Sequence, residues 1–177
     1  RKGVARDDLN QSDAKELFRR MVFNILIDNT DDHEKNHSLL VPDPFYQGQF
    51  RLAPAYDVLP TNSGQGFQEF RCGTQGLDST LENAMSECSA FGLTVEAAAS
   101  EVVSVIEVVN TWQEHFKGVG VSGRDIEDLA RRIDGDPFLS QRSGFDASSY
   151  ISGPPKKKRP GPFQRMTKAP GPGKSGR

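Results

Sequence analysis

No stretch of this chain reaches the roughly 18 consecutive apolar residues that a membrane-spanning helix requires, so no membrane partner is expected. Cysteine is nearly absent. Cys72 and Cys88 stand sixteen residues apart and match no metal-ligand spacing. That excludes a disulfide framework and a zinc ribbon, and it favours two reduced thiols in a cytosolic protein. No secretory leader is expected from the opening Arg1-Lys2-Gly3, where the first apolar run follows a charged segment. An initiator Met is missing too, which points to a fragment or a processed start. No internal repeat is visible, and no Gly-rich loop follows a strand; Gly64-Gln65-Gly66 is an isolated pair in a loop. The apolar fraction, 35%, is low for a fully globular chain, although 177 residues suffice for one domain with its own core. Acidic residues vanish after residue 150: positions 151–177 hold eight Lys/Arg and no Asp/Glu, leaving 14 Lys/Arg against 24 Asp/Glu, a net −10, in residues 1–150. The overall charge of −2 therefore hides an acidic body and a basic tail.

What is present reads mostly as helix. Asp13 with Glu16 three residues on suggests an N-terminal cap. Leu17, Phe18, Met21, Val22, Ile25 and Leu26 then recur at helical spacing, with Phe23 and Ile27 widening the stripe into that of a deeply buried helix. A hairpin follows: His37 to Val41 as one strand, turn chemistry in Pro42-Asp43-Pro44 and Gly48, and Phe50 to Ala53 as the return. Residues 60–78 read as a long loop with one strand near Phe67–Cys72. Ser79 and Glu82 form a capping box for a helix that Gly92 closes. Thr94 opens a longer one carrying Val95, Ala98, Ala99, Val102, Ile106, Val109, Trp112 and Phe116 on one face. Ser122 with Asp125 caps a third, with Ile126, Leu129, Ala130 and Ile133. The last residues, with Pro, Gly and cations but few large apolar side chains, bury too little to offset their chain entropy and are expected to be disordered. Pro154-Pro155-Lys156-Lys157-Lys158-Arg159 has the look of a nuclear-import or nucleic-acid run, with a solvated tail as the favoured reading.

The chemistry concentrates in Asn29-Thr30-Asp31-Asp32-His33-Glu34-Lys35-Asn36-His37 and, a hairpin later, Ala53-Pro54-Ala55-Tyr56-Asp57. Two readings compete. His33-Glu34-Lys35-Asn36-His37 spells H-E-x-x-H, the zinc-hydrolase pattern, which needs both histidines on one packed helix. Residues 28–37 contain no apolar side chain, so a helix there would have nothing to bury. Phosphoryl transfer instead needs a carboxylate to take the hydroxyl proton, and an amide and a second carboxylate to hold Mg²⁺. Asp31 and Asn36, five apart, have the spacing of base and metal-binding amide in a kinase catalytic loop. Asp57, just after the second strand, suits the other metal ligand, and Lys35 could neutralise the moving phosphate. The bland alternative is a solvated loop in which Asn29 ends the helix left-handed and Asp57 caps a turn. Against it stand the apolar helix leading in, five ionisable side chains in residues 31–35, and a second acid placed by a hairpin.

These residues resemble the catalytic signature of HipA-like serine/threonine kinases, the toxins of bacterial toxin–antitoxin pairs, whose wording runs near T-D-x-H-x-K-N followed by L-x-P-x-Y-D. Every fixed position is present, in Thr30 to Asn36 and in Leu52 to Asp57. The likeness covers roughly residues 12–142, with Ser79–Ala84, Ala90–Leu93 and Trp112–Ile133 resembling that family's helical end. It implies a mainly α fold with a small β-hairpin, the carboxyl-terminal lobe of a HipA-type kinase over residues 12–145; composition sets residues 1–11 apart as a polar lead-in and 146–177 as a disordered basic tail outside the likeness. It also implies Asp31 as proton acceptor, Asn36 and Asp57 as Mg²⁺ ligands, and His33, Lys35 and Tyr56 on the nucleotide and phosphate side of an ATP cleft. In the family the substrate is a protein, in known cases an aminoacyl-tRNA synthetase, and an antitoxin partner binds DNA and restrains the kinase in the bacterial cytoplasm. Nothing upstream of Leu17 supplies the phosphate-covering loop or the ATP-orienting lysine of an amino-terminal lobe. The isolated chain is therefore expected to turn over negligibly, and a non-catalytic remnant or binding module is the alternative.

Overall fold

The computed structural model describes residues 11–41, 50–61 and 66–151. Two helices carry the core. Helix α1 (Gln11–Leu26) buries Phe18, Val22, Ile25 and Leu26 completely, as its stripe predicts. It lies against α3 (Val95–Asn110), which turns Ala98, Ala99, Val102, Val105, Ile106 and Val109 inward. Phe18 meets Phe91 edge to face at 5.5 Å, locking α1 to the short 3₁₀ turn Cys88–Phe91. Thr94 caps α3 by accepting from the Ala97 amide at 3.2 Å.

Strands β1 (Leu39–Leu40) and β2 (Arg51–Leu52) form a two-stranded antiparallel sheet with Leu39 opposite Leu52 and Leu40 opposite Arg51. The main-chain bond from Ala53 to Ser38, at 2.8 Å, prolongs the pairing by one step. The predicted turn lies in residues 42–49, outside the described residues. Asp13 does not cap α1. It is buried in the first turn and its Oδ2 accepts from the Leu52 amide at 3.1 Å, so the carboxylate fastens the hairpin to the helix. Arg20 adds a second fastening, donating to the Ala53 carbonyl at 2.8 Å.

The strand expected near Phe67–Cys72 does not form. Two isolated bridges, Phe67 with Asp78 and Gly73 with Gly76, close a loop that wraps α2 (Leu81–Ser86). Asn83, fully buried, holds that loop: its amide donates to the Gly76 and Asp78 carbonyls at 3.1 and 2.8 Å, and its Oδ1 accepts from the Gln75 amide at 2.8 Å. Only glycine fits at 73, where a Cβ would sit 1.9 Å from the Asn83 carbonyl oxygen. The cap of α2 is Thr80, not Ser79, because the Ser79 hydroxyl is occupied by Gln68 Nε2 at 2.8 Å. The Cys72 and Cys88 thiols are separate, free and buried. Burial, with the nearby Asp32 and Asp78 charges, pushes Cys72 up to about 11, which keeps it unreactive.

The long helix expected through Phe116 breaks at Thr111, whose hydroxyl turns back to the Val108 carbonyl at 3.1 Å. Helix α4 (Trp112–Gly118) starts there, and α5 (Gly123–Ile133) follows under the predicted Ser122 cap, whose hydroxyl accepts from the Asp125 amide at 3.2 Å and donates to the Asp125 carboxylate at 2.7 Å. Two helices come unannounced. Helix α6 (Asp136–Gly144) carries Pro137 in its first turn and is held by buried Arg142, which donates to the Ile133 carbonyl at 2.8 Å and to Asp134 at 2.6 Å. Helix α7 (Ser148–Ile151) follows an Asp146 turn that accepts from the Ser148 amide and hydroxyl, and Tyr150 stacks on Phe145 at 5.5 Å. Residues 146–151 thus have local order that the tail reading did not foresee, because short side chains and one stacked pair leave no helical period. The basic run from 152 onward, and residues 1–10, lie outside the described residues. The architecture is mainly helical with one small hairpin. No helix among the described residues is long and apolar enough to cross a membrane.

Candidate active site

Helix α1 ends at Leu26 and the chain reverses through Asp28, a left-handed residue with φ 57°. Left-handed backbone costs most L residues energy, and Asp and Asn tolerate it best. Asp28, not Asn29, makes the reversal. Asn29 is buried and bonds back to Asn24, amide to carbonyl at 2.9 Å and Nδ2 to Oδ1 at 3.1 Å. The loop then runs to the 3₁₀ turn Glu34–Asn36, flanked by His33 and His37 in extended conformation.

That geometry corrects the H-E-x-x-H reading. With a 3₁₀ turn between them, His33 and His37 do not share a helical face. His37 Nε2 pairs with Asp32 Oδ1 at 2.9 Å, and no group of three His, Cys, Asp or Glu side chains among the described residues could hold a metal.

The structure brings Asp31 and Asn36 together directly. Asn36 is buried, and its Nδ2 donates to the Asp31 carbonyl at 3.2 Å while its own amide bonds to His33 at 2.9 Å. The Asp31 carboxylate, by contrast, is exposed, as are Lys35 and Asp57. Tyr56 reaches the loop from the other side. Its hydroxyl donates to the Lys35 carbonyl at 2.7 Å and lies 2.7 Å from the Ser38 hydroxyl, so its polar end pins the loop. Asp57 follows with φ 55°, a second left-handed aspartate. No hydrogen bond or ion pair among the described residues joins the Asp57 carboxylate to Asn36 or Asp31. The two segments are joined through their backbones instead. Thr61 donates from its amide and its hydroxyl to the Asp28 carbonyl at 2.9 and 2.7 Å, and its hydroxyl accepts from the Thr30 amide at 3.2 Å. His33 contributes a buried Nδ1 with no hydrogen-bond partner among the described residues.

Beside this loop lies a cavity of about 570 Å³ between α1 and α3, lined by Phe23, Asn24, Asp32, Asn36, His37 and Tyr56 among others. Asp31, His33, Lys35 and Asp57 do not line it. The donors suit a hard cation. Asn36 spends its N–H on Asp31 and keeps its carbonyl oxygen, and Asp57 offers a carboxylate free of ion pairs among the described residues; Mg²⁺ prefers such oxygen ligands. Sequence reading missed the structural roles of Asn24, Asp32 and Thr61. Side-chain bonds of this kind leave no period in a sequence, although Asp32 stands inside the motif.

Comparison with known proteins agrees with the motif. Residues 2–114 match the HipA-like C-terminal domain. Over 128 residues the chain is 44% identical to a protein of Sinorhizobium fredii (strain NBRC 101917 / NGR234) named "Putative kinase Y4dM". The match takes in 71% of this chain and 30% of that relative, so the chain spans under a third of the curated protein it matches. No solved structure matches. With its motif intact at Thr30–Asn36 and Leu52–Asp57, this chain belongs to the HipA-like C-terminal domain family.

Proposed function

We propose that the chain is the carboxyl-terminal catalytic lobe of a kinase-like fold that moves the γ-phosphate of ATP to a serine or threonine hydroxyl of a protein. The observation that carries this reading is the Asn36-to-Asp31 bond, which ties an amide to the carbonyl of an exposed acid within one loop. Asp31 takes the hydroxyl proton. Asn36 and Asp57 hold Mg²⁺, which when bound neutralises charge on the phosphates. Lys35, exposed and without an ion pair among the described residues, faces the developing negative charge. His33 and Tyr56 support the nucleotide side, Tyr56 by fixing the Lys35 backbone.

Asp31, Lys35 and Asp57 all face solvent, and electrostatic positioning supplies most of the catalysis in this chemistry. An amino-terminal lobe that covers them, with its own lysine for ATP, is therefore part of the proposal. So is the role of a toxin restrained in the cytoplasm by an antitoxin that alone contacts DNA, with a translation protein such as an aminoacyl-tRNA synthetase as substrate. The exposure of the same three side chains also favours a second reading, a binding module that engages a partner protein without chemistry. Phosphate transfer from radiolabelled ATP, by the chain mixed with an amino-terminal lobe, separates the two. Asp31→Asn should cut transfer by about 10²–10⁴-fold, the usual contribution of a general base, while leaving the fold intact. Transfer that survives Asp31→Asn refutes the base assignment, and partner binding without any transfer supports the module.

A further inference from the structure

Asp31 and Asp32 are adjacent, yet their carboxylates face different surroundings. Asp31 is exposed and its carboxylate forms no hydrogen bond or ion pair among the described residues. The Asp32 side chain keeps only 13% of its surface, and both oxygens are engaged. Oδ2 accepts from Asn24 Nδ2 at 2.8 Å, and Oδ1 lies 2.9 Å from His37 Nε2. Asn24 is buried near the end of α1 and is itself held by Asn29, through side chain and backbone. His37 leads into β1, and its ring lies 5.6 Å from that of Phe70. With a carboxylate facing Nε2, that nitrogen carries the proton; Nδ1 is buried and has no partner among the described residues. Among the described residues the only hydrogen bond of the imidazole thus goes to Asp32. One carboxylate ties together a helix end, a loop and a strand entry.

We propose that Asn24, Asp32 and His37 are positioning residues for the site, a relay that clamps residue 32 while Asn36 clamps the carbonyl of residue 31. The clamped loop presents the Asp31 carboxylate and the Asn36 amide oxygen in a fixed relation. This rests on the phosphotransfer reading of Asp31 and Asn36, and it gives Asp32, whose two oxygens each face a neighbouring side chain, a holding role beside the exposed Asp31. Charge-assisted bonds to a carboxylate are the strong kind, and supporting bonds of this sort orient metal-binding groups. The cavity beside the loop does not loosen the argument, because Asn24, Asp32 and His37 form its wall and reach one another across no gap.

The test uses the full 177-residue chain. Backbone ¹⁵N relaxation reads the order of residues 31–36 without metal, and paramagnetic broadening by Mn²⁺ reads the affinity of the Asn36–Asp57 site. Asp32→Asn and His37→Ala should loosen residues 31–36 and weaken Mn²⁺ binding about tenfold, the low end for groups that support a metal ligand. Helices α3 and α5 should be unaltered. His37→Gln, whose amide N–H can reach Asp32, should restore both readouts to within about twofold of the wild type. Unchanged loop order and Mn²⁺ affinity in Asp32→Asn and His37→Ala overturn the relay. So does loosening that spreads through α3 and α5, or that His37→Gln fails to reverse. A wild-type chain with an ordered loop and no Mn²⁺ binding overturns the metal roles of Asn36 and Asp57 instead, and the relay then stands or falls on loop order alone.

Discussion

Residues 28–37 contain no apolar side chain, whereas α3 buries Ala98, Ala99, Val102, Val105, Ile106 and Val109 against α1 and its neighbours. The helical layer is held by apolar burial, which is non-directional and scales with area. The loop is held by hydrogen bonds with named partners: Asn24 with Asp32, His37 with Asp32, Asn36 with Asp31, and Thr61 with Asp28. A directional frame places atoms more tightly than packing does, and it fails one bond at a time. The layer sets whether the chain folds; the frame sets where two acids and an amide point once it has folded. Asp31 and Asp57 gain exposure from that division of labour, because neither is needed to hold the structure together.

Substitutions on the two sides should separate cleanly. Phe18→Ala strikes the layer, removing a fully buried ring and its edge-to-face contact with Phe91, and should cost about 3–5 kcal/mol in urea denaturation. Thr61→Val keeps the shape but deletes the hydroxyl that bonds Asp28 and Thr30, and should cost about 1–3 kcal/mol. Its mark is local: hydrogen exchange should quicken in residues 28–31 before α3 responds. An equal quickening of α3 and the loop would erase the distinction between frame and layer. The smallest effect concerns Glu101 on α3, which pairs with Arg19 and, at 3.2 Å, with Lys15 on α1. Desolvation raises its pKa, but the hydrogen bonds and charges of Arg19 and Lys15 outweigh it and hold the carboxyl below its usual value of 4.5. A depressed folded-state value means the pair stabilises fully above 4.5 and loses that contribution as the pH falls through the lower value. Glu101→Gln should therefore cost less than about 1 kcal/mol at neutral pH, with the difference from wild type shrinking as the pH falls below 4.5. Parallel denaturation curves at neutral pH and below 4.5 check it.

The layer was the more legible of the two in the sequence. Helix α1 showed as an apolar stripe, and α3 and α5 as stripes behind Thr94 and behind Ser122 with Asp125, because periodicity and capping are local. The break at Thr111 was hidden, since it comes from a hydroxyl folding back on its own helix with no Gly or Pro to mark it. Helix α6 was hidden because its anchor is a buried cation, Arg142, which reads as surface. Thr80 displaced Ser79 as cap only because Gln68, eleven residues upstream of Ser79, had claimed the serine. In the site, the five-residue spacing singled out Asp31 and Asn36, but the bond from the Asn36 amide to the Asp31 carbonyl showed only in the fold. The inward turn of Asp32 was invisible, because its partners lie on a helix end and at a strand entry.

Tyr56 and Thr61 meet the loop at Lys35 and Asp28, its far and near ends. Six residues therefore act as a measuring rod laid across eight, with Asp57 carried between the two anchors. Length is then a constraint on this segment in a way that composition is not. One residue added or removed between 56 and 61 cannot satisfy both anchors, and the acid at 57 would slide along the loop without a single side chain of the motif having been changed.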